Sequence, residues 1–337
     1  MFIHLIHFQY TKSAESANEK KYWGIVVPNK NQSSLGDIIY VLPQSYVSTA
    51  QLLADKEAIL SLSKHEISEF EQVSCIDVKV LSPVVGNKRV ICQGANYRQH
   101  MIESGMDPDK KNYNMFFNKS SASICSAQDN IVKPKHVGLL DYEIELGLVI
   151  GKAIDKQLEI NSENLHHYIG AIVIGNDVSA REVQLSQTQF FKGKSYRTFC
   201  PVGPYLCLID EKNIDMLAQL NLELKVNGQV RQKDTTKNLV FKPAETLTEL
   251  SSFSDLDVAD LVLTGTPSGC ALQIPSPIVV KLFSLLPETM RWKLFKKIQS
   301  KSPNYLSIND KVEARIFSDN KEINLGCQQN IISQYPV

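Results

Sequence analysis

The pattern of apolar and polar positions predicts a chain made mostly of short strands, with a few helices between them. Runs rich in Val, Ile and aromatic residues end at Gly, Pro, Asn or Asp, as in residues 22–28 and 37–43. Residues 49–72 carry apolar positions at helical spacing and predict one or two helices. The pattern therefore predicts an α+β, mainly β fold.

A change of pattern near residue 85 divides the chain into two predicted domains. Residues 1–84 predict a small N-terminal β-rich domain, and residues 85–337 predict a larger main domain. Within the main domain, residues 274–306 predict an insert of two short helices broken near Pro287, the second one amphipathic and basic. We interpret this helix as packed on the body or on a partner subunit, with contact to a membrane surface as the weaker alternative.

Composition and charge narrow the class of protein. The chain has 337 residues, and 36 basic residues balance 36 acidic ones, which disfavours a dedicated nucleic-acid binder. Seven scattered cysteines without a CxxC pair favour reduced thiols in a cytoplasmic protein over disulfides or a zinc site. The first residues lack the features of a signal peptide, and no apolar run reaches the ~18 residues of a membrane span.

The strand predicted in LLDYEIELGLVIGK carries an unusual set of charges. Asp141, Glu143 and Glu145 alternate with other residues, so the three carboxylates face the same side of the strand. A second strand, AIVIGNDVSA, is apolar until it ends near Asp177. Either the acids lie on a solvated face, or a divalent cation neutralises them. Carboxylates without nearby His or Cys describe an oxygen-ligand site for Mg²⁺ or Mn²⁺, with Ca²⁺ as a further option.

Several motifs, taken in order, resemble the fumarylacetoacetate hydrolase superfamily. DYEIELGLVIGK is similar to the family's acidic signature DYExELxxVIGK, and NDVSAREVQ is similar to its NDVSARDxQ. GANYRQHMIE, MFFNKSSAS, GKSYRTFCPVGPYL and TGTPSG follow in the family's order. The resemblance covers about residues 88–330 and is strongest to the branch of acylpyruvases and 2-hydroxyhepta-2,4-dienedioate isomerases. It implies a β-roll or partly open mixed barrel with the site at one mouth, usually in a homodimer.

The resemblance also implies a role for each site residue. By position in the motifs, Glu143, Glu145 and Asp177 would bind the metal ion, and Asp141 would support them. The implied catalytic residues are His100, Glu103 and Lys194, and the implied substrate-binding residues are Arg181, Gln184, Lys119 and Thr266. The implied ligand is a small 2-oxo or 2,4-dioxo acid.

The helix predicted in NYRQHMIESG carries the candidate general base. His100 and Glu103 are three residues apart and share a helix face, where the carboxylate would orient the imidazole and favour its charged form. The common alternative is a surface histidine beside a glutamate. With this dyad, the resemblance implies hydrolysis of a C–C bond: activated water attacks the distal carbonyl and a metal-stabilised enolate leaves.

Three functions remain open at this level. The first is a divalent-metal-dependent hydrolase of acylpyruvate-like or fumarylacetoacetate-like 2,4-dioxo acids. The second is an isomerase, decarboxylase or hydratase of 2-oxo-diene acids on the same metal site. The third is a metal-binding interaction protein that has lost catalysis. The insert, and Arg197 where the family often has Asp, leave the distal group of the substrate open.

Overall fold

Strands dominate the computed structural model, which describes residues 2–10, 20–27, 37–273 and 286–334. Within these ranges the strands are β1 (His4–Tyr10), β2 (Lys20–Val26), β3 (Ile38–Val41), β4 (Gln72–Ser74), β5 (Lys79–Leu81), β6 (Val90–Gly94), β7 (Met115–Lys119), β8 (Ile124–Ser126), β9 (Ile131–Lys133), β10 (Leu140–Asp141), β11 (Ile144–Ile150), β12 (Ile169–Asn176), β13 (Ser179–Ala180), β14 (Cys200–Val202), β15 (Tyr205–Leu208), β16 (Leu220–Val226), β17 (Gln229–Thr235), β18 (Leu261–Leu263), β19 (Lys311–Ser318) and β20 (Asn324–Gln334).

Short helices connect these strands. They are α1 (Thr49–Ala54), α2 (Lys56–Ser61), α3 (Lys64–Ser68), α4 (Arg98–Glu103), α5 (Leu165–Tyr168), α6 (Arg181–Ser186), α7 (Phe190–Lys194), α8 (Pro243–Ser251) and α9 (Glu288–Gln299), with 3₁₀ turns at Cys75–Asp77, Ser121–Ser123, Ile214–Gln219 and Thr236–Asn238. As the sequence predicts, α4 stops just before Gly105, whose φ of 75° is a glycine conformation that ends helices. The predicted α+β, mainly β class is confirmed.

Two sheets carry most of the structure. The larger has thirteen strands, with the path β4-β3-β2-β1-β15-β12-β11-β18-β6-β7 and with β5, β8 and β14 joined beside it. The smaller has the order β17-β16-β19-β20-β9, and a separate pair joins β10 to β13. Buried apolar side chains from both sheets, among them Ile144, Leu222 and Val312, belong to one core cluster. The described strands form open sheets and do not close into a barrel.

The N-terminal strands extend the same sheet as the main part of the chain. β1 pairs antiparallel with β15, so that Leu5 lies beside Leu206. One apolar cluster contains Trp23 from the N-terminal part together with Val149 and Leu261 from the central strands. The sheet and the core therefore both continue past residue 84. A domain boundary at this position stays a prediction.

The acidic strand predicted over residues 139–152 is divided in two. β10 pairs with β13, whereas β11 pairs with β12 and β18. Between the two pieces, the backbone nitrogen of Glu143 donates to the side chain of Asn176 at 3.0 Å. The backbone nitrogen of Asp177 donates to the Glu143 carbonyl oxygen at 2.8 Å. The two bonds at this break hold the acidic segment against the end of β12, next to the candidate site.

The predicted insert is described only in part. Residues 274–285 lie outside the described residues, and α9 begins directly after Pro287, which agrees with the predicted break. Phe295 on α9 packs against the core, whereas Met290 and Ile298 are exposed. Contact of α9 with a partner subunit stays a prediction. Among the described helices, none is long and apolar enough to cross a membrane.

Candidate active site

A cavity of about 720 Å³ opens where β6, α4, α6 and α7 surround the acidic segment. Most of the predicted site residues line it: His100, Glu103, Glu143, Glu145, Arg181, Gln184, Lys194 and Thr266. Lys119 and Asp177 are both buried and bond to each other, with 2.6 Å between Nζ and Oδ1. Arg197, in contrast, is exposed and does not line this cavity.

Three carboxylates meet at the floor of the cavity. One oxygen from each of Glu143, Glu145 and Asp177 lies within 4.8 Å of the others, and all three residues are buried. The pairing of β11 with β12 produces this arrangement, since Glu145 lies opposite Gly175, two residues before Asp177. We call these three residues the acidic triad.

Three buried cations contact two members of the triad. Lys194 Nζ lies 2.9 Å from Glu143 Oε2 and 2.5 Å from Asp177 Oδ2. Arg181 Nη2 lies 2.5 Å from Glu143 Oε1, and Lys119 bonds to Asp177 as described above. Burial opposes ionisation of Glu143, but the charges of Arg181 and Lys194 outweigh it and lower the pKa of its carboxyl. Glu143 is therefore held as a carboxylate, and both acids have compensating positive charges beside them.

The third member of the triad, Glu145, differs from the other two. Its Oε2 accepts a hydrogen bond from Gly265 N at 2.7 Å, and no cation among the described residues forms an ion pair with it. Burial, together with the charges of Asp177 and Glu143, raises the pKa of Glu145 well above its ordinary value. A divalent cation among the three acids would remove this repulsion, and an oxygen-only ligand set suits such an ion. The residues present therefore fit a divalent metal ion.

Asp141 lies outside the triad and holds the surrounding chain. Its carboxylate accepts hydrogen bonds from Arg181 Nε at 2.8 Å, Ala271 N at 2.8 Å and Leu272 N at 3.0 Å. These bonds tie α6 and the segment after β18 to β10. Asp141 therefore acts as a structural support, the role that the motifs imply for it.

Each nitrogen of the Arg181 guanidinium group contacts another side chain of the protein. Nε binds Asp141, Nη2 binds Glu143, and Nη1 donates to Gln184 Oε1 at 2.9 Å. The last bond joins two residues one helical turn apart on α6, as the sequence predicts. Arg181 stabilises the acids in this arrangement, and its contact with a substrate stays a prediction.

Thr266 is likewise bonded to protein groups. Its hydroxyl donates to the Ile144 carbonyl oxygen at 2.9 Å and accepts from Gln232 Nε2 at 2.9 Å. Gln232 also accepts a bond from Ile144 N at 3.0 Å, so it spans the start of β11. Thr266 therefore fixes β11 beside the turn after β18, and its role in substrate binding stays a prediction.

Glu182 supports the site, although the motifs imply no role for it. Its carboxylate accepts hydrogen bonds from Gly138 N and, at 2.9 Å, from Leu139 N, which fixes the chain entering β10. Its position in the NDVSAREVQ motif was the available signal, but a motif does not reveal which backbone groups a side chain will contact. Lys296 on α9 lies 4.0 Å from the same carboxylate.

α4 places His100 and Glu103 on the cavity wall. Glu103 is exposed and accepts a bond from Gln99 Nε2 at 3.2 Å, and within the described ranges no hydrogen bond joins it to His100. Burial lowers the pKa of His100, and the charge of Glu143 offsets this effect only in part. The imidazole is therefore neutral at pH 7, whereas the spacing of the two residues predicts the charged form. A neutral imidazole is able to accept a proton.

Comparison with known proteins relates this geometry to a family. The family described as fumarylacetoacetate (FAA) hydrolase C-terminal matches residues 89–333. The oxaloacetate tautomerase YisK of Bacillus subtilis is 36% identical over 198 residues, which are 58% of this chain and 64% of that protein. The mitochondrial oxaloacetate tautomerase Fahd2a of Rattus norvegicus is 32% identical over 242 residues, which are 71% of this chain and 74% of that protein.

Solved structures agree with the family match. The fumarylacetoacetate hydrolase from Exiguobacterium antarcticum has a TM-score of 0.70 at 25% identity, covering 99% of this chain and 100% of that chain. A 2-hydroxyhepta-2,4-diene-1,7-dioate isomerase from Mycobacterium marinum shares the fold, with a TM-score of 0.67 at 20% identity over 99% of this chain and 100% of that chain. Because the family match spans residues 89–333, the chain belongs to the fumarylacetoacetate hydrolase family.

Proposed function

We propose that the protein is a divalent-metal-dependent keto–enol tautomerase of a short 2-oxo acid. The observation that carries this proposal is the acidic triad, buried at the floor of the cavity beside Lys194. The family contains hydrolases, isomerases and tautomerases, but the relatives at 32% and 36% identity are named as tautomerases of oxaloacetate. The names of these two relatives therefore support tautomerisation over hydrolysis as the proposed reaction.

The triad and its cations suit the carboxylate end of such a substrate. A divalent cation bound by the triad would polarise the carboxylate and 2-oxo oxygens and would acidify the neighbouring C–H bond. The Lys194 ammonium adds positive charge at the same place, and the carboxylates around it raise its pKa despite its burial. Lys194 therefore stabilises negative charge as it develops on the 2-oxo oxygen.

His100 is the proposed proton carrier. Tautomerisation moves one proton from the carbon beside the oxo group to the oxygen, and it consumes no water. A neutral imidazole accepts the proton from carbon and then donates it to oxygen. Because burial keeps the imidazole of His100 neutral, this proton transfer does not need the carboxylate of Glu103.

Hydrolysis of a 2,4-dioxo acid is the second candidate. The observation in its favour is that His100 and Glu103 both line the cavity, where a base and its orienting carboxylate would activate water. This function uses the same metal ligands and the same Lys194. It differs in that water attacks the distal carbonyl and a C–C bond breaks.

Parallel assays separate the two candidates. Protein treated with a chelator is supplied with Mg²⁺ or Mn²⁺, and the loss of enol absorbance from oxaloacetate is compared with release of pyruvate from acetylpyruvate. We expect metal-dependent tautomerisation well above the spontaneous rate. Metal-dependent cleavage of acetylpyruvate without tautomerisation of oxaloacetate would replace the first candidate by the second. Inactivity in both assays would contradict both.

A further inference from the structure

Two phenylalanines line the cavity beside the lysines of its floor. On β7, Phe117 and Lys119 are two residues apart and lie on the same face of the strand. On α7, Phe190 and Lys194 are four residues apart and lie on the same face of the helix. Both phenylalanines line the cavity, and both lysines bond to Asp177. Each element therefore supplies one cation to the acidic triad and one aromatic ring next to it.

The two rings contact each other and lie close to the floor. Their centroids are 5.4 Å apart and their planes are tilted by 54°, a geometry that aromatic pairs favour. Nζ of Lys194 lies 4.9 Å from the centroid of the Phe117 ring and 2.9 Å from Glu143 Oε2. One lysine side chain therefore separates the aromatic pair from the acidic triad. Phe117 and Phe190 are only partly buried, so ring surface remains available to a ligand.

Met115 continues this apolar wall away from the floor. It lies two residues before Phe117 on β7 and also lines the cavity. Alternate residues of a strand are about 6–7 Å apart, so the wall extends from Lys119 past Phe117 to Met115 over two such steps. The cavity volume of about 720 Å³ is in the range that takes drug-sized ligands. A three-carbon 2-oxo acid bound at the triad would therefore leave room along this wall for a ring.

The charges of the cavity disfavour a second carboxylate beside the two rings. Of the described residues that line the cavity, the permanent cations are Lys194 and Arg181, and both are paired with acids of the floor. Glu103 adds a negative charge to the wall, and burial lowers the pKa of His100 and keeps it neutral. A second carboxylate would lose hydration without gaining a free counter-charge, whereas an apolar ring gains by leaving water.

We propose that Phe117 and Phe190 form a subsite for an aromatic ring on C3 of the 2-oxo acid, so that the protein acts on an arylpyruvate. The inference rests on the proposed tautomerase function and narrows its substrate class. The reaction is unchanged: a proton leaves C3, which carries the ring, and a proton is added to the 2-oxo oxygen. Oxaloacetate, whose C3 carries a carboxylate, is then bound less tightly than phenylpyruvate.

The test compares pyruvate, oxaloacetate and phenylpyruvate, which share the 2-oxo acid group and differ in the substituent on C3. Calorimetric titration into the protein with saturating Mg²⁺ measures the affinity for each compound without turnover. We expect the wild type to bind phenylpyruvate about tenfold more tightly than either other compound, because the ring is removed from water. Phe117→Ala and Phe190→Ala should each lose most of this preference and bind pyruvate as the wild type does.

The next residue of α7 provides the matched control. Phe191 is 57% exposed, and Phe191→Ala should keep the wild-type preference for phenylpyruvate. Phe190→Leu removes the ring but keeps an apolar side chain, and it gives the same test if an alanine variant does not fold. Equal affinity for the three compounds in the wild type, or tighter binding of oxaloacetate, would overturn the inference. A preference that folded variants of Phe117 and Phe190 both retain would overturn it as well.

Enol-absorbance assays on the same compounds keep this inference separate from the proposed reaction. Tighter binding of phenylpyruvate that the variants lose supports the aromatic subsite, even if no compound is tautomerised and the proposed function fails. Metal-dependent tautomerisation of oxaloacetate by a wild type that shows no preference for phenylpyruvate would support the proposed function and overturn the subsite.

Discussion

The floor of the cavity and the α4 side of its wall are built in different ways. On the floor, Glu143 and Asp177 are buried and each contacts cations at 2.5–2.9 Å. On the wall, Glu103 is exposed, and within the described part of the chain its carboxylate forms no bond with His100. A buried charge without a partner is costly, so the floor is confined to one arrangement. We infer that the floor provides the chemistry shared by the family, and that the wall decides which reaction follows.

The largest effect is expected from Glu145, the floor residue that forms no ion pair with any cation in the described ranges. Glu145→Gln keeps an acceptor for Gly265 N but removes one negative ligand. Turnover should fall by about 10³-fold, or about 4 kcal/mol in activation free energy, because the metal ion is no longer held. The metal-free variant should unfold at the same or a higher temperature than the wild type, since a neutral amide needs no counter-charge.

Metal content after dialysis and thermal unfolding with and without Mn²⁺ test this expectation. Wild-type protein should gain stability from Mn²⁺ by mass action, and the variant should gain little. Glu163→Gln, at an exposed position, is the matched control. Full Mn²⁺ stabilisation of Glu145→Gln would show that the triad is not the metal site.

Asp141, which supports the floor, should contribute more to the free energy of unfolding than to the catalytic rate. Asp141→Ala removes the acceptor of four hydrogen bonds and leaves Arg181 Nε without its partner. The free energy of unfolding should fall by about 3 kcal/mol, because a buried ion pair has lost one partner. Urea unfolding measures this change, with Asp155→Ala as the exposed control. A loss no larger than that of the control would show that Asp141 is not needed to stabilise the floor of the cavity.

On the wall, His100→Ala should lower turnover without affecting the metal ion. We expect a loss of about 10²-fold, typical of removing a general acid–base group, with unchanged Mn²⁺ affinity. Burial lowers the His100 pKa from 6.5, and the base acts in its neutral form. The wild-type rate should therefore decline with falling pH only below 6.5, and this decline should be absent from the variant. An identical pH profile in both proteins would exclude His100 as the proton carrier.

The smallest effect is expected from Glu103→Gln, and it distinguishes the two candidate reactions. If His100 works as a neutral base, removing an exposed charge should change oxaloacetate tautomerisation by less than about threefold. Hydrolysis of acetylpyruvate by an oriented dyad would instead lose about 10²-fold. Stopped-flow and pyruvate-release assays on the same preparation compare the two losses.

Local sequence patterns were sufficient for the fold class and for the acids of the floor. The two-residue spacing of Glu143 and Glu145 indicated carboxylates on one side of a strand, and the ordered motifs identified the family. The helix containing His100 and its end before Gly105 also followed from local signals, because helix termination depends on neighbouring residues. The division at residue 84, the homodimer and the cytoplasmic location stay predictions.

Tertiary structure alone decided which groups neutralise those acids and which distant polar side chains bond to each other. The bond from Lys119 to Asp177 and the bond between Gln93 and Asn114 join residues that are 58 and 21 positions apart. No short-range rule relates such residues, because strand register and packing bring them together. The charge of His100 shows the same limit: its spacing from Glu103 predicted a cation, but burial makes it neutral. The cost of desolvation depends on what covers a side chain, and this is known only when the chain is folded.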